Sequence, residues 1–200
     1  MRYAKGHKEE THQHIVKVAS QRFREEGIEK VGVAALMEHA GLTVGGFYSH
    51  FKSKEDLIQE AVGLAADETF CRIFSEGSDS QAVSLERILA RYLSPEHRDH
   101  PEAGCVFASL ASELKNRPEE TRAMVAGKTV GFIRHIADTL PAKAEAEVRM
   151  RAAAAIWAVM VGTLQLSRIV TDPALSTQLL QDGIATALRL ASEIEPLRAG

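Results

Sequence analysis

An all-α fold is predicted by three features of this 200-residue chain. Gly and Pro fall at intervals that suit helices, alanine and leucine abound, and no segment sustains the period-two apolar alternation of a half-buried strand. There is no internal repeat and no low-complexity tract.

The first helix is expected over Lys8 to Glu26. Ile15, Val18, Ala19 and Phe23 fall at i, i+3, i+4 and i+8 on one face. Glu9, Glu10 and Thr11 suit its positive end, and Gly27 is a natural stop. A short helix over Val33 to Ala40 is closed by Gly41, and a third runs from Val44 to His50 with Thr43 as N-cap. Ser53 caps a fourth, with Glu55 and Asp56 in its first turn. It extends to about Ser75, with Leu57, Ile58, Ala61, Leu64 and Ala65 on a buried stripe.

Residues 77–80 read as loop, Ser84 to Leu93 as helix, and Ser94 to Gly104 as a polar linker with two prolines. Cys105 to Lys115 is a short, mostly apolar helix. Pro118 suits N1 of a helix ending near Leu140-Pro141. Lys143 to Val170 is the longest helix, Asp172-Pro173 breaks it, and Ala174 to Ile194 is the last. These last two carry more apolar circumference than one buried stripe needs: Ile156, Trp157, Val159, Met160 and Val161 on the first, and Leu175, Leu179, Leu180, Ile184, Leu188 and Leu190 on the second. The surplus fits a second copy of the chain, or equally a central helix surrounded by its own neighbours.

Length and composition are those of a globular chain that holds a core without staples. It is 45% apolar and 26% charged, with a net charge of −3 and two cysteines, Cys71 and Cys105. That count opposes a disulfide framework and fits a reducing compartment; both thiols are expected to be small buried hydrophobes. The start, MRYAKGHKEE, has no apolar h-region, and Ala152 to Leu166 is interrupted by Gly162, Thr163 and Gln165. Neither a secretory signal nor a membrane span is expected, and the location is cytoplasmic. Residues 1–60 hold nine Lys/Arg and nine Asp/Glu, so any nucleic-acid site is a local patch.

That patch is sought in residues 33–54. Two short helices around Gly41 have helix-turn-helix grammar. Leu36, Ala40, Phe47 and Phe51 point inward, which leaves Tyr48 and His50 outward. Lys52 and Lys54 follow at the N-terminal end of the fourth helix, whose free N–H groups suit a phosphate. An ordinary helical hairpin with a solvated lysine pair fits the same grammar.

The wording is more specific than the grammar. Phe23 near the end of a long helix, then Gly27, Gly41-Leu42-Thr43, Phe47-Tyr48-Ser49-His50-Phe51 and Lys52-Ser53-Lys54-Glu55-Asp56-Leu57 resemble the TetR family of one-component bacterial transcription regulators. The likeness covers about residues 8–60. The remainder resembles only the family's general layout, an all-helical effector domain ending in two long dimerising helices.

The resemblance implies a DNA-binding part, 1–53, and a ligand-binding and dimerisation part, 54–200. It implies a homodimer that binds a double-stranded DNA operator and answers a small-molecule effector, most simply as a repressor. Thr43 would contact phosphate, Val44, Gly45 and Gly46 would approach base edges, Tyr48 and His50 would contact the DNA backbone, and Lys54 a phosphate. Arg2 and Lys5 lie in an arm that touches DNA in some members. Met37 stands where the family often has alanine, which bears on the angle between the two helices. Gly45-Gly46 suits close backbone approach to DNA, or a loosely formed helix that orders on DNA.

Elsewhere, no phosphate loop, Cys-x-x-Cys or nucleophile elbow appears, so no enzyme activity and no cofactor is expected. His12 and His14 face different sides of a helix, and His97 and His100 sit in a polar loop where histidines are usually solvated, so no metal is expected. In a TetR-like effector domain Phe74, Cys105, Phe107, Phe132, Trp157 and Met160 would line an adaptable, mainly apolar pocket. Arg134, His135 and Gln165 could orient a polar group. Two alternatives remain: a helical interaction protein of the same fold that has lost operator binding, and a redox- or electrophile-sensing regulator using Cys105 at a helix start.

Overall fold

The computed structural model describes residues 3–75 and 83–194, and among them every regular element is helical. Arg2 and the predicted loop at 77–80 lie outside the described residues, and so does the side chain of Lys5. By packing the chain forms two compact units. Residues 1–68 with 101–125 make the first, and 69–100 with 126–200 the second. The division of roles expected at residue 53 is a separate matter from this compactness.

In the first unit, α1 (Tyr3–Glu26) begins earlier than the acidic residues suggested and packs on α2 (Val33–His39), on a 3-10 turn (Pro101–Ala103) and on α6 (Val106–Leu114). Ile15, Ala19 and Phe23 are buried as the pattern predicts; Val16 joins them and Val18 is only half-buried. Gly27 has φ +94°, so the backbone favours glycine; a Cβ there would meet the carboxylate of Glu113, its Oε1 at 2.7 Å, which would have to move aside. Gly41, at φ +69°, makes the turn after α2.

The Val44–Ser49 segment is a 3-10 helix, tighter than the α-turns expected. Two glycines in six residues leave little α-propensity, and 3-10 geometry is common in such short pieces. Then α3 (Lys54–Phe74) starts on a capping box. Ser53 Oγ accepts from Asp56 N at 3.1 Å and donates to Asp56 Oδ1 at 2.8 Å, while Lys52 N donates to Asp56 Oδ2 at 3.1 Å.

In the second unit, α4 (Leu85–Tyr92) is capped by Ser84, which accepts from Arg87 N. The expected linker is instead structured. Ser94 Oγ accepts from His97 N and Pro95 stands at N1 of α5 (Pro95–Asp99). His97 is therefore buried rather than solvated, its Nδ1 2.7 Å from Tyr92 O. The helix α7 (Glu119–Asp138) has residues in both units.

The last two helices are α8 (Ala146–Ile169) and α9 (Pro173–Ser192), the latter capped by Asp172, whose Oδ1 accepts from Ala174 N at 2.8 Å. They pack along one another so closely that a Cβ on Gly183 would meet Thr163 Cγ2 at 2.6 Å. Gly162, Thr163 and Gln165 do not interrupt α8. Its 24 residues are, by length and composition, long and apolar enough to cross a bilayer, contrary to the sequence expectation. Its buried side chains, Ile156, Trp157, Met160 and Leu164 among them, are those of a core helix.

Candidate functional site

The helix-turn-helix segment sorts its side chains as its spacing demands. Leu36, Ala40, Phe47 and Phe51 are buried, and the rings of Phe47 and Phe51 lie 5.3 Å apart. With Phe47 inward, Tyr48 is 73% exposed, its ring set edge-on to Phe47 at 5.2 Å. Val44 and Gly45 are exposed and Gly46 half-buried. Thr43 is the N-cap residue in extended conformation and its hydroxyl makes no cap bond, so that hydroxyl is open to another acceptor.

Met37 is completely buried, and its Cε lies 3.7 Å from where a Cβ on Gly46 would stand. The larger side chain at 37 and the missing one at 46 thus face each other across the helix pair. A Cβ at 46 would make ordinary van der Waals contact.

Lys54 is half-buried rather than exposed. Its Nζ donates to Ile28 O at 2.9 Å, which fixes the start of α3 against the turn after α1. An ammonium carries three donors, so two remain for a phosphate.

His50 is half-buried beside α1, and its Nδ1 is buried without a hydrogen-bond partner. Its pKa lies below the usual histidine value, first because burial disfavours the charged ring and then because His12 and Lys8 add positive charge nearby. Sequence reasoning missed the partner that sets this environment. His12 stacks on Phe51 at 4.4 Å, lies 6.0 Å from the His50 ring and is held by Glu60 Oε2 at 2.6 Å from its Nε2. These contacts span 38 to 48 positions, so no local pattern announces them.

Two arginines brace the same unit, and neither was singled out from sequence. Arg24, 4% exposed, donates to Ser20 O at 3.0 Å, Gly104 O at 2.9 Å and Glu68 Oε2 at 2.9 Å. Arg117 pairs with Glu29 and with Glu55, and Glu55 Oε1 accepts from Thr121 Oγ1 at 2.6 Å.

The expected ligand-binding residues do not form one set. Phe132 stacks on Trp157 at 4.7 Å, and Phe74 lies 5.7 Å from Phe132. Met160 is buried on α8, while Cys105 and Phe107 belong to the first unit. Cys105 is completely buried at the N-cap position of α6, and Cys71, expected to be buried, is exposed. A cavity of about 890 Å³ in the second unit is lined by residues of α3, α4, α7 and α9, and of the expected ligand set only Phe74 reaches it. His135 lines it too; Arg134 and Gln165 do not. Among the described residues, no three His, Cys, Asp or Glu side chains are grouped to hold a metal ion.

The family model for bacterial regulatory proteins of the tetR family matches residues 15–61, and that for a tetracyclin repressor-like C-terminal domain matches residues 83–182. The HTH-type transcriptional repressor KstR2 of Mycobacterium tuberculosis is 29% identical over 108 residues, 52% of this chain and 52% of that protein. The chain spans about half the length of the curated relatives it matches most extensively. A TetR transcriptional regulator from Chloroflexus aurantiacus superposes with a TM-score of 0.75 at 21% identity, over 99% of this chain and 100% of that one. The reduced form of Escherichia coli NemR does so with a TM-score of 0.71 at 18% identity, over 95% and 100%. These two likenesses show the fold.

Proposed function

The chain belongs to the TetR family of bacterial regulatory proteins, and on that premise we propose that it is a cytoplasmic, homodimeric repressor released from a palindromic operator by a small molecule. The observation that carries the reading is the sorting within one six-residue helix: Phe47 anchors it while Val44, Gly45 and Tyr48 stay outside. Two such helices would enter successive major grooves about 34 Å apart. Thr43, Tyr48, His50 and Lys54 would contact the phosphate backbone, and Val44 with Gly45 and Gly46 would face base edges.

The dimer would form through α8 and α9, whose outward faces leave Leu166, Ile169 and Leu175 exposed. The effector would be a mainly apolar molecule held in the second unit beside Phe74, the one residue of the expected ligand set that lines its cavity. Signal to the DNA-binding part would run along α3, which starts at the Ser53 cap and ends at Phe74. The complete burial of Cys105 favours this small-molecule reading over a sensor thiol.

The test is an electrophoretic shift on DNA upstream of the chain's own gene. Tyr48→Phe removes one hydroxyl from an exposed ring, so operator affinity should fall about tenfold while the urea midpoint stays put. An unchanged affinity would sink the docking.

A further inference from the structure

The cavity of about 890 Å³ lies entirely among residues of the second unit, at the end of α3, the start of α4, the last turn of α7 and the last turns of α9. That is room for a drug-sized molecule. Phe74, Ile88, Leu140 and Leu188 supply an apolar wall. Glu86 and Asp138 also line it, and no Lys or Arg does so among the described residues. The charge on its lining is therefore negative.

The two carboxylates are not equivalent. Glu86 serves its own helix: hydrogen bonds from its backbone N–H and from the Ser84 side chain hold its carboxyl below the usual carboxylate range. Its charge is also answered by the positive end of α4, in whose first turn it sits. Asp138 has no such use. It is the last residue of α7, where the negative end of the helix disfavours a carboxylate. It is exposed and makes no hydrogen bond or ion pair with a described residue. Arg134, one turn back, neither bonds to it nor lines the cavity. Beside the cavity the rings of Phe74 and His135 lie 5.3 Å apart, and the face of a phenyl ring attracts a cation.

We propose that this cavity binds a hydrophobic cation, an amine or onium compound with an apolar body and one positive charge. The charge would lie against Asp138 and the body on Phe74, Ile88, Leu140 and Leu188. The proposal rests on reading the chain as an effector-responsive regulator and gives that effector a charge. Anionic amphiphiles are rejected, since the cavity offers them two carboxylates and, among the described residues, no Lys or Arg, with His135 as its one imidazole.

Isothermal titration of the full chain with tetraphenylphosphonium, and with tetraphenylborate as the same shape with opposite charge, tests it. The cation should bind and the borate bind at least about tenfold more weakly. Asp138→Asn, a surface change, should weaken the cation about tenfold and leave neutral triphenylphosphine oxide unaffected. Leu188→Trp should fill the cavity and weaken both. Equal binding of cation and borate, or a cation affinity indifferent to Asp138→Asn, overturns the proposal. Operator release is followed in parallel by fluorescence anisotropy. If the cation binds as stated and the operator is not released, the site stands and the effector-response reading falls. If another compound releases the operator and the cation does not bind, the regulator reading stands and this site falls.

Discussion

The two compact units differ in the groups that meet in their interiors. In the first, one charge is carried inside, Arg24 among carbonyls and Glu68, and the half-buried Arg117 is clasped by Glu29 and Glu55. In the second, rings predominate: Phe70 and Phe74 meet Phe132, Phe132 stacks on Trp157 and Trp157 meets Tyr92, the buried polar groups are Thr69, His97, Ser167 and Ser176, and the carboxylates Glu86 and Asp138 line the cavity. Directional bonds fix a geometry, which would suit the proposed docking on the fixed spacing of DNA phosphates. Ring-on-ring packing fixes less, which would suit the ligand-accepting role proposed for that unit.

The largest way to break this contrast is at Arg24. Arg24→Met keeps the apolar stem but strips four acceptors of their donor, Ser20 O, Ser20 Oγ, Gly104 O and Glu68 Oε2, and the protein should lose about 3 kcal/mol of stability in urea unfolding. If the loss is only a few tenths, the internal charge of the first unit is ornament and the comparison fails. The matching test in the second unit is Gly183→Ala. A methyl placed 2.6 Å from Thr163 Cγ2 must push α8 and α9 apart, at a cost of about 2 kcal/mol. The companion Gly183→Ala/Thr163→Ser should recover part of it, because the obstructing methyl is gone.

A smaller effect separates two roles for the glycines of the Val44–Ser49 helix. A Cβ on Gly45 meets nothing within 4 Å, and its φ is not positive. Gly45→Ala should therefore raise stability by up to about 1 kcal/mol through backbone entropy. If operator affinity falls at the same time, the backbone lies against DNA. If affinity rises with stability, the helix was loosely formed and orders on binding.

The smallest effect concerns His50. Its folded-state pKa lies below the ordinary 6.5, so the unfolded chain binds more protons in the window just under that value. This contribution to stability is intact above pH 6.5 and declines as pH falls through the window to the folded pKa. A DNA phosphate beside the ring acts oppositely, favouring the charged form, so operator affinity should rise over the same range. Urea midpoints and operator titrations at pH 7.5 and 5.5 should show these opposed slopes, and His50→Gln should flatten both.

The legibility of the two units in the sequence follows the same contrast. Caps, stops and the aromatic string of the DNA-binding segment are local, so Ser53, Gly27, Gly41, Phe47 and Tyr48 could be placed from neighbours alone. The resemblance to a family rested on those same residues. His12, Arg24 and Arg117 find their partners tens of positions away, and nothing in their own segments marks them. In the 94–104 stretch, Ser94-Pro95-Glu96 is a helix start that the surrounding charges and prolines concealed. The ligand set was chosen by residue type. Aromatic rings fill a core as readily as they line a pocket, so type alone could not separate Phe132 and Trp157, stacked in the interior, from Leu188 and Asp138 at the cavity.

Anyone wishing to retarget this protein to a new promoter must treat Met37 and Gly46 as a single unit of exchange. Position 46 is an obvious place to add a base-reading side chain, yet the thioether of Met37 already lies within contact of the first carbon of any such addition. A library that varies residues 44–46 alone would handicap bulky solutions, which need the flexible Met37 thioether to move aside. One that lets Met37 shrink to alanine at the same time would recover them. Grafting the Val44–Ser49 helix into another scaffold carries the same obligation in reverse: the host needs methionine at the facing position, or the transplanted glycine leaves a hole.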